Sequence, residues 1–161
     1  MFHQRGAAGI DGLLAGAAGV RAALDPQTPL VTLLGDVSAA HDLGSFAALR
    51  MARAPHAIVL VDNDGGRIFD GLPVRGVVSD AAFDALYRTP PSIDWRAAAA
   101  AFGLGFVASD SVAELDAALR GALGAPTATL IVAKTSHAAS ASCRKRIAEA
   151  VREAVRAEAS S

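Results

Sequence analysis

Two turns rich in oxygen-bearing side chains follow two apolar runs near the middle of the chain. The run LVTLL (30–34) leads into Gly35 and Asp36, and the run AIVLVD (57–62) leads into Asn63, Asp64 and two glycines. In proteins Mg²⁺ is bound by hard oxygen ligands, often one or two carboxylates with a carbonyl, water and the phosphates of a ligand. Asp36 offers a carboxylate, and Asn63, 27 positions later, offers an amide oxygen. The spacing predicts a Mg²⁺ site.

A diphosphate is the ligand that suits the same place. The backbone N–H groups around Val37 and Ser38 would open a helix directly after the first strand, and helix N-termini bind phosphate. In an open parallel sheet, ligands lie beyond the carboxyl ends of the strands. Each turn alone is ordinary turn chemistry, because Gly, Asp and Asn tolerate the backbone angles that turns need. The two turns in this order favour a magnesium diphosphate site.

The elements that would position these turns alternate between strands and helices. We predict strands at 30–34, 57–62, 105–108 and 127–133, and helices at 9–24, from Ser38 or Asp42 to 53, and at 95–102, 112–123 and 140–157. Ser38 or Asp42 is expected to cap the second helix, and Asp94 and Ser111 the next two. The fold class is α/β, three layers around a mainly parallel sheet, as one domain over residues 1–161.

Three expectations concern the less regular parts of the chain. About thirty residues after Asn63 carry Gly, Pro and Asp throughout, with a helical turn near 81–87, and loops of that length are usually lids or disordered. LVTLL is expected to be buried on both faces. The last helix is expected to cover the core, with Cys143 as a small core residue beside Ile147 and Val151.

Composition excludes several classes of protein. The 161 residues are 52% hydrophobic and 19% charged, which argues against disorder, and the net charge of -1 gives no reason to expect nucleic acid as a partner. One cysteine cannot form an internal disulfide, which fits a reducing compartment. No apolar run reaches the length of a membrane span, and the first residues lack the apolar core of a signal peptide. We expect a cytoplasmic protein that does not associate with membranes.

The turns belong to three blocks that resemble one family. The blocks are Arg5-Gly-Ala-Ala-Gly-Ile-Asp-Gly12, then Gly35-Asp36-Val37-Ser38 with Asp42-Leu43, and Asn63-Asp-Gly-Gly-Arg-Ile-Phe69. The second and third look like the diphosphate and metal motif of thiamine-diphosphate enzymes. All three together resemble the C-terminal domain of the menaquinone-biosynthesis synthases that join 2-oxoglutarate to isochorismate. The resemblance covers about residues 4–70 well and the remainder only in the order of its elements.

The resemblance implies a role for each matching residue. Asp36, Asn63 and the carbonyl of Gly65 would be ligands of Mg²⁺ or Mn²⁺. Gly35, Asp36, Val37, Ser38, Asn63 and Ile10 would contact thiamine diphosphate, with Ile10 as the apolar residue that supports its bent shape. Arg5 would bind a substrate carboxylate, and Ile68 and Phe69 would line the substrate pocket. Taken by themselves, Ile10, Ile68 and Phe69 are equally consistent with packing and Arg5 with a solvated charge. Asp62 and Asp64 flank Asn63 where the family has more amides, which raises the local negative charge.

The activating carboxylic acid is missing. In the family a glutamate on another domain activates the cofactor, and the first Glu of this chain is Glu114, on an expected surface helix. No catalytic residue is therefore assigned here, and the isolated chain is expected to be inactive. We interpret it as a fragment, a natural split subunit or a relic of a larger thiamine-diphosphate-dependent transferase. We expect a homodimer or larger assembly, in which a partner domain or subunit supplies that glutamate. Two alternatives stay open: the small subunit of another split thiamine-diphosphate 2-oxoacid decarboxylase, and a non-catalytic α/β interaction module.

Overall fold

Four parallel strands form the sheet in the computed structural model, which describes residues 1–3 and 9–159. The strands are β1 (Leu30–Gly35), β2 (His56–Asp62), β3 (Gly105–Ser109) and β4 (Ala128–Lys134), in the order β1-β2-β4-β3. Gly35 aligns with Val61 across the parallel β1 and β2 pair. Asp36 and Asp62, one position further along, therefore follow at the same edge of the sheet. The predicted α/β class is confirmed.

Among the described residues, one helix precedes the first strand and the others lie between the strands or after the last one. They are α1 (Leu13–Ala23), α2 (Asp36–His41), α3 (Phe46–Met51), α4 (Asp80–Phe83), α5 (Trp95–Phe102), α6 (Val112–Gly124) and α7 (His137–Ala159). Short 3₁₀ turns occupy Leu43–Ser45, Arg67–Gly71 and Pro73–Gly76, and a π-helical turn spans Asp84–Arg88. Within the part of the chain that the structure describes, no helix combines the length and the apolar character needed to cross a membrane.

The core lies on both faces of the sheet, but unequally. On one face α1, α2, α3 and α5 contribute buried residues that pack against the strands: Leu14, Ala39, Phe46, Leu49, Trp95 and Ala99. On the other face α6 places Ala118 and Ala122 against Val59 and Ile131. Burial of such apolar surface is what holds the α/β layers together.

The expectation that β1 is buried on both faces is wrong. Val31 is 49% exposed and Leu33 is 72% exposed. The reason is the strand order: β1 is an edge strand, and α6 contacts β2, β3 and β4 on that face. An apolar run alone does not reveal whether a strand ends up inside a sheet or at its edge.

Two helix predictions also differ from the structure. The first helix begins at Leu13 rather than residue 9, because Gly12 has a left-handed backbone with φ of 72°. The predicted second helix is broken into α2, a 3₁₀ turn and α3. Its first part begins after Gly35, earlier than predicted and with no side-chain cap, so neither Ser38 nor Asp42 caps it. Asp94 and Ser111 do cap α5 and α6, accepting hydrogen bonds from the N–H groups three residues later.

The last helix does not cover the core. Ile147 is 58% exposed, Val151 is 56% exposed and Cys143 is exposed. The expectation of a covering helix with a core cysteine is therefore wrong. An apolar stripe shows that a helix is amphipathic, but it does not show which surface the stripe meets.

Candidate functional site

The two turns at the ends of β1 and β2 meet as the spacing predicts. The backbone N–H of Gly65 donates a 2.7 Å hydrogen bond to Oδ2 of Asp36, although the two residues lie 29 positions apart. The bond is buried. It fixes the second turn directly over the first residue of α2.

Asp36 is a buried carboxylate, with only 2% of its surface exposed. Burial raises its pKa, because the charged form is poorly solvated there. The N–H groups of Gly65 and Val37 oppose this shift, and the nearby carboxylate of Asp62 adds to it. The Val37 N–H donates to Oδ1 of Asp36 over 2.8 Å. The sequence predicts that this N–H faces a diphosphate. In the structure it donates to the side chain of the preceding residue, Asp36.

Asn63 presents an amide oxygen that has no hydrogen-bond partner in the described part of the chain. Its Oδ1 is buried and accepts no hydrogen bond among the described residues. A buried polar atom without a partner is costly, so such an atom usually marks a ligand, an ion or an ordered water. The backbone carbonyl of the same residue accepts a 3.0 Å hydrogen bond from Nε of Arg67. The backbone is thus held while the side-chain oxygen remains available.

The two glycines after Asn63 are fixed by a second segment of the chain. Gly65 has φ of 101°, and a Cβ there would overlap the carbonyl oxygen of Arg88. The Gly66 N–H donates to that same carbonyl over 2.6 Å. The Gly65 carbonyl, the predicted metal ligand, accepts a 2.7 Å hydrogen bond from the Arg67 N–H. A carbonyl oxygen has a second lone pair, so this bond leaves one for a cation.

Gly35 is glycine for a different reason. Its backbone is extended, with φ of -89° and ψ of 163°, which any residue adopts. No described residue beyond its chain neighbours lies within 4 Å of the position that a Cβ at Gly35 would take. Neither the backbone nor the described neighbours require glycine at this strand end. The close approach of a ligand would require it, which fits the predicted diphosphate.

The segment that follows Ile10 is connected to the end of α2 by hydrogen bonds. Oδ2 of Asp42 accepts hydrogen bonds from the N–H groups of Leu14 at 2.6 Å and Ala15 at 3.0 Å. Asp42 therefore caps α1, across 28 positions, and joins the start of α1 to the end of α2. Ile10 precedes this junction and is 44% exposed. Arg5 lies outside the described residues. Ser38 is half-buried on α2.

Ile68 and Phe69 face different surroundings. Ile68 is 78% exposed, whereas the Phe69 ring lies edge-on to Tyr87 with 6.1 Å between centroids. Ile68 also lines a recess of about 130 Å³ with Asn63, Arg67, Ser140 and Arg144. The structure therefore places Ile68 beside a predicted metal ligand and Phe69 in the packing of the following segment.

That following segment is ordered by aromatic rings and ion pairs. Phe83 is fully buried, with the guanidinium groups of Arg75 and Arg88 each 5.1 Å from its ring centroid. Nε of Arg88 donates to Asp70 at 2.8 Å and Nη1 to Asp84 at 2.6 Å. Cations over aromatic faces and hydrogen-bonded ion pairs both stabilise such a segment. It holds the Arg88 carbonyl against the glycine turn.

The donors present fit a magnesium diphosphate better than a metal bound by side chains alone. No group of three or more His, Cys, Asp or Glu side chains placed to hold a metal occurs in residues 1–3 and 9–159. One buried carboxylate, one unpartnered amide oxygen and one carbonyl make an incomplete set for Mg²⁺, which phosphate oxygens and water would complete. Glu114 is exposed on α6 and accepts from the Asp110 N–H. It does not belong to this site.

The fold and the paired turns define a class of protein. The family described as "Thiamine pyrophosphate enzyme, C-terminal TPP binding domain" matches residues 2–133, and the chain belongs to it. Among curated relatives, the chain is similar to 2-succinyl-5-enolpyruvyl-6-hydroxy-3-cyclohexene-1-carboxylate synthases. It is 43% identical to that of Photobacterium profundum over 83% of this chain and 22% of the relative. It is 38% identical to that of Haemophilus influenzae (strain PittEE) over 96% of this chain and 26% of the relative. The resemblance stated from the three blocks is confirmed.

Solved structures support the fold. Benzoylformate decarboxylase from Polynucleobacter necessarius matches with a TM-score of 0.65 at 20% identity, over 77% of this chain and 23% of that one. The thiamine diphosphate-dependent 4-hydroxybenzoylformate decarboxylase of Rhodococcus jostii RHA1 matches with a TM-score of 0.63 at 23% identity, over the same shares of the two chains. The chain spans about a quarter of the length of these relatives.

The sequence did not predict the residues that support the site from distant positions in the chain. Asp42 caps a helix 28 positions away, and the Arg88 carbonyl supports Gly66 from a segment that reads as irregular loop. Arg67 and Arg144 share a recess although α7 follows the last strand. The only local signal was the Gly65-Gly66 pair, which indicates close backbone approach without naming the partner.

Proposed function

We propose that this chain is the diphosphate- and metal-binding domain of a thiamine-diphosphate-dependent synthase that decarboxylates 2-oxoglutarate and adds the remaining four-carbon unit to isochorismate, in menaquinone biosynthesis. The observation that carries the proposal is the buried junction of Asp36 with the Asn63-Asp64-Gly65 turn, with one amide oxygen left unpartnered. The similarity to curated 2-succinyl-5-enolpyruvyl-6-hydroxy-3-cyclohexene-1-carboxylate synthases supports the proposal. We place the protein in the cytoplasm.

Mg²⁺ is the metal that this donor set suits best. The Asp36 carboxylate, Oδ1 of Asn63 and the carbonyl of Gly65 would hold it, with Mn²⁺ as a chemically close substitute. Gly35 leaves space for the diphosphate, and Val37 and Ser38 lie at the start of α2, next to that space. Burial of Asp36 and the nearby charge of Asp62 both raise the pKa of the Asp36 carboxyl. A cation beside Asp36 would compensate the negative charge of both side chains.

Bound thiamine diphosphate supplies the electron sink that decarboxylation of a 2-oxo acid requires. In this proposal the present chain anchors and orients the diphosphate end, and it contributes Arg5, Ile68 and Phe69 to the substrate side. The activating glutamate comes from a pyrimidine-binding domain or subunit. The assembled enzyme is a homodimer or larger, with the isolated chain inactive.

Thermal unfolding with Mg²⁺ and thiamine diphosphate tests the cofactor part of the proposal. At a ligand concentration about 100 times Kd, binding adds about 2.7 kcal/mol, which raises Tm by roughly 5–10 °C for a chain of this size. Asp36→Ala is expected to abolish the shift. Asp116→Asn, an exposed carboxylate on α6, is the matched control and should keep it. Mg²⁺ alone and thiamine diphosphate alone should each give a much smaller shift.

No shift with the wild-type chain would favour a non-catalytic α/β interaction module. A shift that survives in Asp36→Ala would show that the cofactor binds elsewhere. The reaction itself is tested by adding the missing domains as a separate chain and measuring turnover of 2-oxoglutarate with isochorismate. Turnover of a different 2-oxo acid in that assembly would favour the small subunit of another split decarboxylase.

A further inference from the structure

We propose that the exposed apolar face of α7 binds the same face of a second copy of this chain, as an antiparallel helix pair centred on Val151. The proposed function expects a homodimer or larger assembly but assigns it no contact surface. The helix pair supplies one without depending on the cofactor. It uses a helix, His137–Ala159, that follows residues 2–133, the part of the chain that the family model matches.

The middle of α7 carries a continuous apolar face. Successive residues of a helix are turned by about 100°, so positions within about 60° of Val151 share its face. Between Arg144 and Glu158, the residues on this face are all apolar: Ile147, Ala148, Val151, Ala154 and Val155. All five are exposed, and Ile147, Val151 and Val155 are each more than half exposed. A contiguous apolar patch of this kind marks an interaction surface.

Charges at the two ends of this face identify what covers it. Arg144 lies seven positions before Val151 and Glu158 seven positions after it, and both lie about 20° from it around the helix. Neither has an ion-pair partner among the side chains that the structure describes. In a two-fold symmetric contact, each residue of one copy meets its counterpart in the other and the reverse. Antiparallel helices centred on Val151 therefore place Arg144 opposite Glu158 at both ends, and Ile147 opposite Val155.

The same residues disfavour a parallel pair. Parallel helices in register would place Arg144 against Arg144 and Glu158 against Glu158, and like charges repel. Between these two positions no other charged residue lies within about 90° of Val151, so the antiparallel contact brings no like charges together. It also sets Ala148 opposite Ala154, where small side chains let two helices approach closely.

The length of the contact sets its strength. From Arg144 to Glu158 the helix is about 21 Å long, which corresponds to the low end of specific protein interfaces. We therefore expect a weak dimer, with a Kd on the order of 10 µM. Because Arg144 also borders the recess beside Asn63, each end of the pair lies next to a candidate site.

Sedimentation velocity of the full chain, at concentrations above and below that Kd, tests the proposal. Every sample carries Leu33→Glu, which removes the exposed leucine of β1 as a second route of association. Arg144→Glu and Glu158→Arg each place like charges at both ends of the pair, and each should weaken the dimer about tenfold. The double variant restores opposite charges and should dimerise like the parent. Arg146→Glu makes the same charge change on the opposite side of α7, so it is the matched control and should also dimerise like the parent.

Cysteine cross-linking tests the direction of the pair. Cys143 is exposed and lies eight positions from Val151, so the antiparallel pair keeps the two Cys143 residues about 24 Å apart. A disulfide requires Cα atoms within about 7 Å. Mild oxidation should therefore leave the parent chain without a cross-link. Cys143→Ser combined with Val151→Cys should give a disulfide-linked dimer, because residue 151 meets its own counterpart on the two-fold axis.

Several outcomes would overturn the helix pair. These are single charge variants that dimerise like the parent, a double variant that does not regain the dimer, and equal weakening by Arg146→Glu. A dimer linked through Cys143 would show a parallel contact instead. A parent that stays monomeric at every concentration would also overturn the pair and leave the apolar face to another part of a larger enzyme.

The cofactor is measured separately on the same variants. The Tm shift with Mg²⁺ and thiamine diphosphate should be the same in all of them, because none of the changed residues belongs to the metal or diphosphate site. Absence of that shift in every variant would contradict the proposed function and leave the helix pair standing. A normal shift with no effect of the charge variants on the dimer would do the reverse.

Discussion

Replacing Gly65 by alanine tests whether the predicted metal turn is packed as tightly as the structure indicates. The added Cβ would overlap the Arg88 carbonyl oxygen, and the backbone there has φ of 101°, which alanine avoids. Relieving the overlap moves the turn away from Asp36 and breaks the 2.7 Å hydrogen bond to its carboxylate. Backbone strain costs about 1–3 kcal/mol and a hydrogen bond to a charged group about 1.5–3 kcal/mol. We expect a loss of about 3–5 kcal/mol.

Two other glycines separate the causes of this loss. Gly12 has φ of 72°, and no described residue beyond its chain neighbours lies within 4 Å of where its Cβ would be, so Gly12→Ala measures the cost of the left-handed backbone without a clash like that at Gly65, about 1–2 kcal/mol. Gly76 has open space and no positive φ, so Gly76→Ala should change stability by less than about 0.5 kcal/mol. Urea unfolding followed by the fluorescence of Trp95, the one tryptophan, which is buried in α5, gives all three values. If Gly65→Ala costs no more than Gly12→Ala, the close approach of Arg88 to the turn is refuted.

Three further predictions concern charge, pH and association. Asp62→Asn removes a like charge that raises the pKa of Asp36. The folded protein loses stability as the pH rises through that pKa, and the variant should lose less of it. Calorimetry should show that the variant binds Mg²⁺ up to about tenfold more weakly. Unchanged Mg²⁺ affinity would contradict the electrostatic coupling. Burial lowers the pKa of His56 from 6.5 to about 4, so the folded protein keeps this ring neutral where the unfolded chain protonates it. The folded protein therefore loses stability as the pH falls below 6.5. From pH 7 to pH 4 the wild type should lose about 3 kcal/mol more than His56→Met in urea unfolding, and parallel curves would exclude this effect. Leu33, 72% exposed on β1, should promote self-association that Leu33→Glu reduces in light scattering; a monomeric wild type would count against it.

The residues that could be predicted from the sequence are those whose partners are near in the chain or fixed by strand pairing. Asp94 and Ser111 were recognisable as caps because their partners lie three residues away. The approach of Asp36 to the glycine turn follows from two apolar runs in a parallel sheet, where the register brings Gly35 beside Val61. Local pattern and strand geometry were sufficient for that part of the site.

The remaining features depend on contacts that leave no local pattern. Asp42 sits where a helix cap is expected, yet its partners are the N–H groups of Leu14 and Ala15. The segment from Arg67 to Arg88 has the composition of a loop, and its order comes from the packing of Arg75 and Arg88 against the ring of Phe83. Which of several competing partners a side chain takes is decided by tertiary packing, and a single sequence does not record that choice.

The hydrogen bond from the Gly66 N–H to the Arg88 carbonyl makes one amide a reporter for the whole site. Its hydrogen exchanges with solvent only when the glycine turn separates from the segment that ends at Arg88, so its exchange rate measures the free energy of that opening. Because the same turn carries the hydrogen bond to Asp36, a bound cation and diphosphate should slow this exchange more than that of amides in β3. Occupancy of the site thus becomes readable at a single backbone position, without turnover and without the rest of the enzyme.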